Sequence, residues 1–404
     1  MVGAGFTGCM TALHAARKGA SVTLFETSPE IGGVLRDVQV DGRLYYSGCQ
    51  YLRSGALGAS GVDQELEVFP HEYGSLTLLG NHSPRLIDDC AQPALDGQAQ
   101  FAPDAVLHGN ALQRLQAYGR AADRLIQWAS GFGNLALLDQ QCLLPMQLSR
   151  VFYPEDRDLP AKKAANAIAD HLIAIPRRIR RPGMLAEPAM LPKTGFNDFF
   201  DSLERTLTNH GIRIELNSPV KLMNDADGIR LCKRGDEEAF DLAVWASNPV
   251  AVLKRACQAK LTTPAIAMQL WVGDFPQAQG LNKDMPLPYY WQVFDESSPV
   301  VRVYIYRLQG HLRFSVEAFD RPQGVDPVKA LTQVFKALGL PAQFELAAVI
   351  SQSRNVNFST EERLLMERST ATLLERGIIP GGWCHYGREE KVASMIHLLE
   401  RAMA

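Results

Sequence analysis

Gly3-Ala4-Gly5-Phe6-Thr7-Gly8 opens the chain with the spacing G-x-G-x-x-G, Glu26 follows 18 residues after Gly8, and Ile31-Gly32-Gly33 follows that. Glycines at this spacing allow a tight turn and let backbone approach a pyrophosphate held at a helix N-terminus. The context suits them: Thr11 to Lys18 reads as a helix, and Ser21-Val22-Thr23-Leu24-Phe25 reads as the next strand. Glu26, at the end of that strand, stands where a carboxylate accepts hydrogen bonds from an adenosine ribose. Motif, strand, helix and acid together indicate a dinucleotide site, and up to this point NAD and FAD fit equally.

The second diglycine separates them. Six residues past Glu26, Gly32-Gly33 followed by Val34 and Arg36 makes a further turn of the kind that lies against a flavin's diphosphate, where the ordinary alternative is a turn without a ligand. FAD is therefore the expected cofactor, held by Gly3, Gly5, Phe6, Thr7, Gly8, Glu26, Gly32, Gly33 and Val34.

Outward from this segment, 404 residues exceed one compact domain, so two or three interleaved domains are expected. A composition of 46% hydrophobic and 21% charged residues is that of a globular protein, and a net charge of -3 gives no reason to expect a nucleic-acid partner. The seven cysteines are scattered without a C-x-x-C pair, which argues against a disulfide framework and a zinc site and for a reducing compartment. No run of 18 apolar residues occurs, and the chain opens directly into the nucleotide motif. A cytoplasmic protein without a membrane span, acting on a small molecule, is the expectation. Nothing in the sequence sets an oligomeric state.

Further along, helical stretches are expected near 110–130 and 161–174, an amphipathic helix from Phe196 to Asn209, strands at Ile212–Leu216, near 229 and at Phe240–Trp245, and β-rich runs from 265 to 316. A short strand at Gly377–Pro380 precedes a closing helix at Val392–Met403. Arg177, Arg178, Arg180 and Arg181 form a basic cluster, read as a solvated loop in preference to a phosphate site. Cys49 and Cys384 read as small buried thiols, and His385 as a candidate proton carrier.

With these residues in place, the sequence resembles the two-glycine flavoproteins, the superfamily of flavin amine oxidases, protoporphyrinogen oxidase and UDP-galactopyranose mutase. The likeness runs over residues 1–55, 191–250, 285–310 and 375–404. It implies an α/β fold in which a Rossmann-like FAD-binding domain (1–55, 191–250 and 375–404) is interleaved with a mixed or antiparallel-sheet substrate-binding and helical domain (56–190 and 251–374). Asn217-Ser218-Pro219-Val220 is similar to the family run ending in a valine whose backbone meets the adenine. Gly381-Gly382-Trp383-Cys384-His385-Tyr386 stands where the family brings a glycine turn to the flavin, with Gly382 in place of the usual acid.

The nearest likeness is to the mutases: Arg302 would be the diphosphate contact, suited by its fork of donors, and Tyr386 the pocket tyrosine. Two departures matter. Gly48-Cys49-Gln50-Tyr51 lacks the mutase histidine, and Ala265–Leu270 lacks the amine-oxidase lysine. The resemblance thus implies an FAD-dependent oxidoreductase of the amine-oxidase-like group, with a mutase-like enzyme on a sugar nucleotide and a non-catalytic flavin-binding protein as alternatives.

Overall fold

In the computed structural model, which describes residues 1–53, 66–70, 72–79, 83–99, 109–180, 188–225, 228–258, 261, 265–276, 285–320, 324–385 and 387–403, the run before Glu26 forms strand Thr23–Phe25. Leu24 and Phe25 are buried, as an inner parallel strand requires. This strand pairs in parallel with Arg213–Glu215 on one side and is bridged by Val2 on the other. Val2 also bridges Trp245 of strand Ala243–Trp245, which pairs in parallel with Ile378–Pro380. Every strand runs the same way, so their C-terminal ends share one edge, where open parallel sheets bind ligands.

Helix Phe6–Arg17 starts five residues before the helix read from sequence, because the glycine loop ends at Gly5 and Phe6 is already helical. The last helix, Arg388–Met403, packs on it: Thr11 meets Met395, and His14 pairs with Glu400 at 3.1 Å. Phe196–Asn209 forms as expected, burying Phe196, Phe199, Phe200, Leu203 and Leu207 on one stripe. The expected strand Phe240–Trp245 is two strands. Phe240 ends an antiparallel three-stranded unit (Lys221–Asp225, Gly228–Lys233, Asp236–Phe240), and Ala243 begins the parallel one. Arg234 and Gly235, both with positive φ, make the two-residue turn of its second hairpin.

The second layer is a seven-stranded mixed sheet in the order 345–356, 265–274, 311–319, 300–308, 289–294, 72–77, 85–88. It is antiparallel except where Tyr289–Phe294 runs parallel to Glu72–Thr77. Trp271, Phe314 and Val316 pack with helix Pro327–Ala337 through Leu331, Val334 and Phe335. Phe294 and Phe319 pack with Trp128 and Phe132 of the helical region. That region is more broken than expected: 110–130 divides at Gly119 (φ 71°) into Ala111–Gln116 and Asp123–Ala129. Likewise 161–174 divides at Asn166, whose side chain caps the second piece.

Tyr290, Tyr304 and Tyr306 of the mixed sheet share one core with Phe196, Phe199, Phe200 and Leu13, so the sheet stands directly on the nucleotide layer. The arginine cluster corrects its sequence reading, since Arg177 is buried and paired with Glu72 (3.1 Å) and Asp89 (2.9 Å). Arg178 remains exposed against Asp88, and Arg181 lies outside the described residues. Among the described residues no helix is long and apolar enough to cross a membrane.

Candidate functional site

The three glycines of the first loop have different tasks. Gly3 sits at φ +97°, a conformation that disfavours a side chain, and donates to Phe25 O at 2.8 Å. A methyl group on Gly8 would lie 2.0 Å from Gly3 O, so Gly8 is fixed by helix–loop packing. A methyl group on Gly5 would meet nothing within 4 Å. Gly5 is the N-cap of helix Phe6–Arg17, with no side-chain cap and no acid in the first turn. The positive helix end therefore faces open space in front of Gly5, an environment made for an anion. Phe6 is buried and anchors the turn, and Thr7 is half-buried beside it.

Glu26 is fixed against this loop. Its Oε2 accepts from Ala4 N at 2.7 Å, and its Oε1 accepts from Ser28 N at 2.9 Å and Thr27 Oγ1 at 3.0 Å. Ser218 N donates to Glu26 O at 2.7 Å and Asn217 N to Ser28 O at 3.0 Å, which brings the segment ending in half-buried Val220 alongside.

The second diglycine closes on the first. Gly32 N donates to Ala4 O at 2.7 Å, and Gly5 and Gly32 form a parallel bridge. Gly32 and Gly33 both have positive φ, and a methyl group on Gly32 would lie 2.7 Å from the Phe200 ring. Val34 is 69% exposed, an unusual state for valine, while its carbonyl accepts from Ser47 Oγ at 2.7 Å and Gln50 Nε2 at 2.8 Å.

Gly381 joins from the other side of the sheet. A methyl group on it would lie 2.3 Å from Trp245 O, and Trp383 Nε1 donates to Ser247 O at 3.0 Å. Gly3 abuts the same Ser247. Gly382, at φ +66°, backs onto Lys391 in the first turn of helix Arg388–Met403. Burial holds the Lys391 ammonium below its usual range, with the Arg388 guanidinium a lesser cause. His385 is exposed, and Tyr386 lies outside the described residues.

Arg302 is placed differently from a free fork. Its Nε donates to Gln292 Oε1 (3.1 Å), Nη1 to Glu317 Oε2 (3.2 Å) and Nη2 to Pro145 O (2.8 Å), with the guanidinium over the Tyr290 ring. Cys49 is half-buried, and burial pushes its thiol up to about 12, so it is no thiolate nucleophile at neutral pH.

Thus the structure brings Gly3, Gly5, Gly8, Glu26, Gly32, Gly33, Val34 and Gly381 to one sheet edge. The open side of Gly5, an uncapped helix end and a carboxylate fit a dinucleotide's diphosphate and ribose. Ser47 and Gln50, which hold the Val34 carbonyl, are missed by sequence reasoning, since neither stands in a recognisable motif.

Residues 1–60 match the family model of an NAD(P)-binding Rossmann-like domain. No curated protein matches the sequence. Among solved structures, reduced UDP-galactopyranose mutase is similar at 13% identity and TM-score 0.69, covering 100% of this chain and 95% of that one. A redesigned putrescine oxidase triple mutant matches at 14% identity and TM-score 0.62, covering 100% and 97%. An oxidoreductase from Methanosarcina mazei matches at 12% identity and TM-score 0.58, covering 99% of each chain. These likenesses establish the fold: a Rossmann-like layer carrying a large mixed sheet, as the two-glycine motif implies.

Proposed function

We propose that the protein is an FAD-dependent oxidoreductase of the amine-oxidase-like group, acting on a small molecule. The observation that supports this most is the bridge of Gly32 to Gly5 beside a helix end that faces open space. A single glycine loop serves NAD as well as FAD, whereas a second diglycine locked onto the first extends the anion-binding surface along a longer cofactor.

In this reading the first-turn amides and Gly5 receive the diphosphate, Glu26 accepts from the ribose hydroxyls, and the turn at Val220 flanks the adenine. Gly32, Gly33 and Gly381 let their turns pack close against Phe200, Gly5 and Trp245, which holds them beside the first loop. Bound FAD supplies a two-electron acceptor, and the protein orients it and keeps water out. Lys391, in the first turn of the last helix, stands against Gly382.

A second reading, a mutase-like enzyme on a sugar nucleotide, is favoured by Arg302 standing over Tyr290 in the sheet that faces the nucleotide layer. It requires the guanidinium to leave Gln292 and Glu317 for substrate.

The test is mass spectrometry of the cofactor released from purified protein, followed by anaerobic titration with amines and with UDP-sugars. FAD release and bleaching by an amine are expected. Release of NAD, or of no cofactor from a colourless protein that takes up no added FAD, overturns the flavin reading. Turnover of a UDP-sugar without net redox selects the mutase-like one, and a flavin that neither reduces nor reacts selects a non-catalytic flavin-binding protein.

A further inference from the structure

Asp37 takes no part in the site described above, yet it is buried four residues past Gly33, and its partners lie 160 residues away. Its Oδ2 accepts from Asn197 N at 3.0 Å. In return Asn197 Oδ1 accepts from Asp37 N at 3.0 Å. The exchange is a capping box made between distant segments. Within one helix start the cap side chain bonds the third residue's amide and that residue's side chain bonds back; here Asp37 makes the same kind of exchange with the second residue, Asn197, of helix Phe196–Asn209, whose own N-cap is Gly195. A methyl group on Gly195 would lie 2.5 Å from Asp37 Oδ2, so that glycine is what admits the carboxylate.

Two neighbours reinforce the joint. Arg36 donates from Nε to Ile31 O (2.7 Å) and from Nη2 to Asp201 Oδ1 (3.0 Å), and Phe200 packs against Gly32. The segment 31–37 is thereby fastened to the first turn and a half of that helix at residues 196, 197, 200 and 201.

We propose that Asp37 is a positioning residue for the cofactor: by capping helix Phe196–Asn209 it fixes the turn that carries Gly32 and Gly33 in its ligand-ready conformation. This rests on the flavin reading only for the identity of the ligand; the coupling of turn to helix stands on the contacts themselves.

Titration gives a signature that simple packing lacks. The groups facing Asp37 are Arg36 from its own segment, Asp198 from the helix, Tyr46, and Tyr306 from the sheet. Burial pushes the Asp37 carboxyl up to about 7, against the pull of the Asn197 and Phe196 amides. Its Oδ1 is buried with no hydrogen-bond partner among the described residues. A folded-state value above the unfolded one means that the folded protein holds a proton which the unfolded chain releases between about pH 4 and about pH 7. Stability contributed by Asp37 is therefore complete at the acid end, falls as pH rises through that window, and is flat above it.

The experiment measures the FAD dissociation constant and the pH profile of Tm for the wild-type full chain, Asp37→Asn, Asp37→Ala, Asn197→Ala and the double alanine variant. Asp37→Ala should weaken FAD binding about tenfold or more, as loss of a helix cap and its turn would. Asp37→Asn, which keeps an acceptor for the Asn197 amide, should stay within about threefold of wild type and lose the decline of Tm between about pH 4 and about pH 7. Asn197→Ala, which removes the acceptor of the Asp37 amide but leaves its own backbone amide on Asp37 Oδ2, should weaken FAD binding less than Asp37→Ala, and the double variant should lose less than the sum of the two, because both bonds close one joint. Where Asp37→Ala does not fold, Asn197→Ala and Asp37→Asn carry the comparison.

Unchanged FAD affinity in Asn197→Ala, additive losses in the double variant, or a pH profile that Asp37→Asn leaves intact would overturn the proposal. Absence of FAD binding by the wild type overturns the flavin reading instead. The joint is then judged by hydrogen exchange in Asn197→Ala: faster exchange at both Gly32–Gly33 and Phe196–Asn197 supports it, and faster exchange at the helix alone overturns it.

Discussion

Gly5 and Gly32 lie side by side as parallel partners, 27 positions apart in sequence, with Gly32 N bonded to Ala4 O at 2.7 Å. Because a side chain on Gly5 would point into open space, and its φ of -65° is accessible to any residue, Gly5→Val separates folding from binding. The variant should keep its Tm within a few degrees and be purified without flavin. Gly8→Ala, by contrast, places a methyl group against Gly3 O and should lower Tm. Visible absorbance and thermal melts of the two proteins check this, and a Gly5→Val protein with full flavin content would sink the site.

Glu26→Ala removes the carboxylate that accepts from Ala4 N and, in the proposed complex, from the ribose. Loss of a charge-assisted pair should weaken FAD binding by roughly 1.5–3 kcal/mol, about ten- to a hundredfold. Equilibrium titration of the flavin-free protein reads it directly. Unchanged affinity would place the ribose elsewhere.

Arg302 has three nitrogens bonded within the protein, so its first effect should be on stability. Arg302→Ala leaves Glu317, whose side chain is only 11% exposed, without that cation. A loss of roughly 3 kcal/mol is expected, with Arg302→Lys losing less because a point charge restores one contact of three. Flavin content should stay near wild type in both. If UDP shifts the flavin absorbance of wild type and this shift disappears in the variants at temperatures where they are folded, the mutase-like reading gains its diphosphate contact.

Cys49 and Cys90, with thiols each pushed up to about 12 by burial, should resist alkylation of the native protein at pH 8. Mass spectrometry after brief iodoacetamide treatment should show both unmodified, and modified in denaturant. Rapid native labelling of Cys49 would mean that the Gly48–Tyr51 run opens to solvent.

The nucleotide half of the site is legible in sequence because its demands are local. Gly3, Gly32 and Gly33 answer positive backbone angles that glycine meets best, Gly8 a close packing against Gly3 O, and Gly5 a side left open; Glu26 ends a strand of ordinary apolar residues. The helix from Phe196 is equally plain from its stripe of Phe and Leu. The mixed sheet is harder. Tyr289–Phe294 is buried at all six positions, so it has no alternation of polar and apolar residues to mark it. Gly119 and Asn166 break helices that a smooth apolar period suggests are continuous. The Arg177 cluster misleads because its acidic partners, Glu72 and Asp89, lie 105 and 88 residues away. Asp37 hides for the same reason: a cap supplied across 160 residues leaves no trace at the helix it caps except a missing side chain.

The parallel sheet takes its strands from Val2, 23–25, 213–215, 243–245 and 378–380, and its outermost strand comes last. On the ribosome, at about 5–20 residues per second, tens of seconds separate the emergence of the glycine loop from that of Ile378–Pro380. From its own emergence until then, strand Ala243–Trp245 offers an unpaired edge on that side, and throughout the interval the floor beneath Gly3 lacks Gly381. The nascent chain therefore passes a long stage in which the ligand loop exists but its seat does not, and a chaperone or an early-bound cofactor would act in that interval.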